Sequence, residues 1–178
     1  MSSYGGKDLA SAFRTVRKNT IQVAEDIPES QYGHVAAPEC RTVARMLTHI
    51  AISPRIFEEM HKKGLTTLVG FDFFGMMDKF NAEESKPRPK AEIVGLLRTE
   101  GDRFAAWLDT VTPEALGEMV TEPDGKTQKS RFERLLGVKE HEMHHRAQLM
   151  LIERQLGIVP HITRQFNERV AAMRAAKA

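Results

Sequence analysis

The stretch Lys139-Glu140-His141-Glu142-Met143-His144-His145-Arg146-Ala147-Gln148 holds three of the chain's seven histidines. His141 and His145 are four residues apart. On a helix that spacing puts both imidazoles on one face, about one turn apart, where two nitrogens can meet one metal ion. His49, from a distant amphipathic segment, is the candidate third ligand. Imidazole donors suit Zn, Ni, Cu or Fe, and helical bundles build metal sites from side chains on facing helices.

A helical wheel separates the three neighbours. With His141 as zero and about 100° per residue, His145 falls near 40°, Gln148 near −20° and Ile152 near 20°. Val138, Leu149 and Leu156 fall at about 60–80°, so the apolar stripe is centred close to His145. His144 lies on the flank, at about −60°. His141 and His145 therefore face the interior. The plainer reading is three core histidines, each bonded to a carbonyl or carboxylate. Three buried imidazoles crowd together badly without something to bind, which favours the metal.

The segment also reads His141-Glu142-x-x-His145, the zinc-protease pattern in which the Glu acts as general base. The extended form, His-x-x-Gly-x-x-His, fails at Gln148 and Leu151. No strand is evident to form a substrate-binding edge. A zinc protease remains as an alternative.

The elements that must position these residues follow from apolar periodicity. Leu9, Phe13, Val16, Val23 and Ile27 predict a helix from Lys7 to about Ile27, after a flexible start at residues 1–6. Pro28 stops it. A second helix runs from about Arg41 to His61, with His49 near the middle of its apolar face. Pro54 has no N–H, so it frees the carbonyl of Ile50 and kinks this helix. Residues 64–89 are the least regular. One or two short helices are expected there, with phenylalanines packed over one end of the bundle as satellite core or as a lid.

Pro89 opens a third helix that runs to about Asp109 on Ile93, Leu97, Phe104, Trp107 and Leu108. Glu100 falls within its apolar stripe and needs a partner, or serves as a base. Pro123-Asp124-Gly125 signals a turn, with a small hairpin across it. Ser130 and Glu133 form a capping-box pattern that opens the fourth helix, which Gly157 ends near Leu156. A last amphipathic pattern spans 161–176. The fold class is thus all-α: a four-helix bundle over about 7–157 with an additional C-terminal helix.

Composition narrows the function. With 178 residues, 26 basic and 24 acidic, the chain reads as one domain with no electrostatic footprint for nucleic acid. The single cysteine, Cys40, forbids an intrachain disulfide framework. No run approaches the length of a membrane span, and no signal-peptide core is evident. A cytoplasmic protein without nucleic-acid or membrane partners is expected.

Together these residues resemble the DinB-like superfamily, the YfiT-type metal-dependent four-helix-bundle proteins. The likeness covers nearly the whole chain and implies a single domain over 1–178. It rests on the first helix, the Pro38 loop leading into Leu47-Thr48-His49-Ile50, and His-x-x-x-His-Arg-x-Gln on the last bundle helix. The family's usual Arg-Gly-Gln is Arg146-Ala147-Gln148 here. The resemblance implies a divalent ion held by His49, His141 and His145, zinc or nickel first, with iron or manganese as other choices. It also implies the family's repertoire: thiol S-transferases or thiol-dependent isomerases using a low-molecular-weight thiol, or hydrolases, acting on a small-molecule substrate, often as homodimers. Glu100, Glu142, His144 and Arg146 are the candidates for base or anion-binding roles. The alternative of another class is a non-catalytic, metal-stabilised interaction module.

Overall fold

The computed structural model describes residues 4–177. Helix α1 spans Gly6–Asp26, α2 Val43–Ile52, α3 Pro54–Lys62, α4 Phe73–Glu84, α5 Lys90–Leu108 and α6 Pro113–Gly117. Two short strands, β1 (Met119–Thr121) and β2 (Gln128–Ser130), precede α7 (Arg131–Gln155) and α8 (His161–Ala175). The four walls of the bundle are α1, the α2–α3 pair, α5 and α7. Helix α5 lies against both α1 and α2, and α7 lies against α1, α2 and α3. The all-α bundle with a further C-terminal helix matches the expectation. The flexible start was placed at 1–6; residues 1–3 lie outside the described residues, and Gly6 is already helical.

The expected second helix is two helices. Ser53 separates α2 from α3, and Pro54 is the first residue of α3. The missing N–H at Pro54 leaves the Ile50 carbonyl without its helical donor. That carbonyl accepts instead from Arg17 Nη2 of α1, at 3.1 Å. Thr42 caps the start of α2 by accepting from Arg45 N.

The capping box at α7 is present: Ser130 Oγ accepts from Glu133 N, and Ser130 N donates to Glu133 Oε2. Gly157, at φ 77°, ends the helix in the left-handed region that favours glycine. The hairpin across 122–127 is real but small. Met119 pairs with Ser130, and Thr121 with Gln128.

One core cluster joins Val23, Ile27, Leu47, Ile50, Ile93, Leu97, Leu149 and Ile152 at one end of the bundle. A second joins Leu9, Phe13, Phe104, Leu108, Leu135 and Val138 at the other. The phenylalanines of 71–74 do not cap the bundle as expected. Phe73 and Phe74 are exposed, and Phe71 only edges a small cluster of Met60, Leu68 and Val120. What this segment contributes is α4, whose Phe80 and Glu84 are buried. No helix among the described residues is long and apolar enough to cross a membrane.

Candidate metal centre

Helix α2 carries His49 inward between Leu47 and Ile50, both buried. Helix α7 presents His141 and His145 from consecutive turns toward it. The Nε2 atoms of His49 and His141 lie 3.1 Å apart, and those of His145 and His141 lie 3.2 Å apart. One ligand atom from each of the three rings falls within 4.8 Å of the others. Nitrogens bound at about 2.0–2.1 Å to one tetrahedral ion sit about 3.3 Å from each other, so the spacing fits a shared cation.

Hydrogen bonding explains why the Nε2 atoms converge. His49 Nδ1 lies 2.9 Å from Glu84 Oε2, so an ionised Glu84 takes the Nδ1 proton and leaves a lone pair on Nε2. His145 Nδ1 lies 2.8 Å from Gln148 Oε1 and is fixed in the same sense. Gln148 is itself oriented, because its Nε2 lies 3.3 Å from His144 Nε2 and donates there. Lone pairs facing one another across about 3 Å repel unless a proton or a Lewis acid sits between them. With two Nδ1 positions already protonated, the donor set fits a divalent metal ion.

Electrostatics favour the neutral form of His141 and His145. Burial, reinforced by the neighbouring histidines and Arg41, pushes His141 down to about 4. Burial also lowers His145, against an opposing hydrogen bond to Gln148. Neutral imidazole is the ligating form. Glu84 lies deep, 1% exposed. Burial alone would raise its pKa, but hydrogen bonds from His49 and Arg41 outweigh this and bring it down to about 2. Arg41 Nε donates to Glu84 Oε1 at 2.7 Å, and Arg45 Nη2 donates to the same oxygen at 3.2 Å.

The other candidates fall elsewhere. Glu142 is not a free base: its carboxylate accepts from Arg17 Nε and Nη2 at 2.9 Å in a pair almost wholly buried. That ion pair removes the general base the zinc-protease pattern requires, and the only sheet among the described residues is the short β1–β2 hairpin. Glu100 is likewise engaged, by Arg55 at 2.6 Å and Arg103 at 2.7 Å. Burial would raise its pKa, but those two guanidinium groups bring it below the usual value. Neither carboxylate belongs to the histidine cluster. Arg146 is part-buried and reaches back to the Val16 carbonyl. His144 is exposed beside the cluster, in contact with Gln148. Cys40 is an exposed free thiol.

Glu84 is the residue beside the histidine cluster that periodicity did not reveal. It ends α4, in the irregular region. Its one signal is an acidic residue beside the buried Phe80 on the same helix, and that pattern is common on surface helices.

The DinB superfamily profile matches residues 12–149, most of the chain, and the protein belongs to that superfamily. Its fold is shared with solved structures of low identity. YfiT from Bacillus subtilis, described as a probable metal-dependent hydrolase with an unusual four-helix bundle topology, superposes with a TM-score of 0.68 at 19% identity, over 89% of this chain and 91% of that one. A DinB-like protein from the same organism, YjoA, gives 0.63 at 21% identity, over 84% and 91%. An uncharacterised protein from Clostridium difficile 630 gives 0.64 at 14% identity, over 86% and 98%. No curated protein matches the chain.

Proposed function

We propose that this protein is a divalent-metal-dependent enzyme acting on a small molecule, with His49, His141 and His145 as the metal ligands. The observation that carries the reading is the approach of the His49 and His145 Nε2 atoms to that of His141, at 3.1 and 3.2 Å, with Glu84 and Gln148 each holding an Nδ1 proton on the far side of a ring. Such outer partners are part of how proteins build metal sites. The description of YfiT as a probable metal-dependent hydrolase supports the same reading.

A divalent ion bound by three neutral imidazoles supplies Lewis acidity to activate a water or a thiol as nucleophile. The chain's own residues do the remaining work. Glu84 fixes the orientation of His49, and Gln148 that of His145. The His144 imidazole, exposed beside them and in contact with Gln148, is the candidate for moving a proton. We place hydrolysis and transfer of a low-molecular-weight thiol as the two reaction classes, with zinc or nickel as the metal. A cytoplasmic homodimer accompanies this reading. The exposed Phe166 and Met173 of α8 are the surface to test, and Phe166→Glu is expected to give monomers in sedimentation.

Metal content tests the reading directly. Purified without added metal or a histidine tag, the wild type is expected to hold about one transition ion per chain, the stoichiometry of a single three-histidine site. His49→Ala and His145→Ala are expected to hold none while remaining helical by circular dichroism. A wild type that stays metal-free after exposure to zinc, nickel, iron and manganese overturns the assignment. Metal without turnover on hydrolytic and thiol-transfer panels would favour a metal-stabilised interaction module.

A further inference from the structure

A cavity of about 460 Å³ opens beside His145. Its walls include Ala36, Ala37, Met46, Leu151 and Ile152, an apolar lining. This accounts for Leu151, a leucine left 59% exposed on α7. The volume falls in the range of small-molecule sites, and an apolar chamber with a few polar groups is their usual make-up.

Arg41 also lines this chamber. Its Nε is committed to Glu84, but among the described residues its two terminal amino groups have no hydrogen-bond partner. The guanidinium is therefore anchored on one edge and open on the other. The loop that carries it is pinned at its base. Val35 bridges to Thr42, Val43 N donates to the His34 carbonyl, and Ala44 N donates to the Tyr32 carbonyl. Arg41 is thus held ready for a ligand, with no large ordering cost on binding. Arg146, the arginine singled out by sequence for anion binding, points to the Val16 carbonyl instead.

We propose that this cavity is the substrate pocket, that its substrate is a small amphipathic molecule bearing a carboxylate, and that Arg41 binds the carboxylate while Leu151 and its apolar neighbours hold the body. The inference deepens the enzyme reading above and rests on it for the word substrate. A planar guanidinium with free amino groups matches a carboxylate in a two-point hydrogen bond. Glu39, which lines the same cavity, disfavours a dianion such as phosphate. One end of the ligand lies against Arg41, and the body passes toward His145 and Gln148.

The test uses octanoate as probe, with octanol as its uncharged counterpart, on the full chain with metal and after chelation. Binding is read by calorimetry, and metal content is measured on every sample. Octanoate is expected to bind both forms and to outbind octanol. Arg41→Met is expected to weaken octanoate about tenfold or more, the size of a lost charge-assisted contact, and to leave octanol unchanged. Arg41→Lys is expected to restore part of the loss. Leu151→Trp, at an exposed position that folding does not need, is expected to block both probes while leaving metal content intact.

Equal octanoate binding by the wild type and Arg41→Met overturns the proposal. So does octanol binding as tightly as octanoate, or binding that disappears on chelation, since the metal would then be the carboxylate's partner. A wild type that takes up none of the offered metals yet binds octanoate through Arg41 would sink the metal centre and leave the pocket standing.

Discussion

Two polar clusters meet on neighbouring positions of α7 and end in opposite ways. Glu142 faces Arg17, whose remaining donors go to the Leu97 carbonyl at 2.8 Å and the Ile50 carbonyl at 3.1 Å. Every charge and every orphaned carbonyl in that cluster finds a partner within the fold. His141, one residue earlier, faces two more imidazoles whose lone pairs find none. A buried polar network that closes on itself serves the architecture. One that is built carefully from outside and left unmatched at its centre is built for a ligand.

The largest expected effect breaks the closed cluster. Arg17→Ala strands the Glu142 carboxylate and should cost about 3–5 kcal/mol in urea unfolding, the usual penalty for an uncompensated buried charge. Replacing both partners, Arg17→Met with Glu142→Leu, should return most of that stability and keep the metal. A double variant that folds well but has lost its metal would show that Glu142 belongs to the histidine centre after all.

A third polar group on the same helix sharpens the contrast. Glu153 is wholly buried, and neither of its carboxylate oxygens has a hydrogen-bond partner among the described residues. Burial, with Asp26 adding to it and Arg164 and Arg154 opposing it, lifts its pKa from 4.5 to about 7. The folded value lies above the unfolded one, so the protonated form is favoured by folding. Stability from this group is full below pH about 4.5 and is lost as pH rises through about 7. Glu153→Gln should abolish this loss and raise stability above pH 7, by up to about 3 kcal/mol at 1.36 kcal/mol per pKa unit. Unfolding curves at pH 5 and pH 8 measure it; a variant no more stable than wild type at the higher pH would refute it.

Smaller effects test the open cluster from outside. Glu84→Gln should weaken metal binding by about 10–100-fold, because His49 loses its charged anchor. Gln148→Ala should weaken it by about tenfold, at the lower end of that range, since Gln148 is neutral and exposed. Competition with a metal-sensitive dye separates the two. Equal and negligible effects would mean that the outer partners do not set the ring orientations.

Much of this arrangement could be read from the chain alone. The four-residue spacing of His141 and His145 lies within one helix, where periodicity fixes direction. His49 announced itself by its place on an apolar face. Ser130, Glu133 and Gly157 marked the ends of α7 because capping is a contact among near neighbours. Even the consequence of Pro54, a freed Ile50 carbonyl, is a local rule. The donor that answers it is not. Arg17 reaches across from α1, and α5 admits it because Gly101 carries no side chain: a Cβ there would lie 2.7 Å from Arg17 Cγ.

Glu84, Glu142 and Arg41 mark the same boundary. Glu84 and Arg41 lie 43 residues apart, and Arg17 and Glu142 lie 125 apart. Nothing in local pattern couples such positions, since an acidic residue on an amphipathic helix looks alike whether it meets water or an arginine. The sequence by itself determined the helices, their faces and the three histidines, because those follow from short-range sterics and hydrophobic periodicity. Only the tertiary structure decided which carboxylate is a structural partner, which holds a ligand in place and which arginine faces the cavity, because a charge is assigned its role by the groups packed against it.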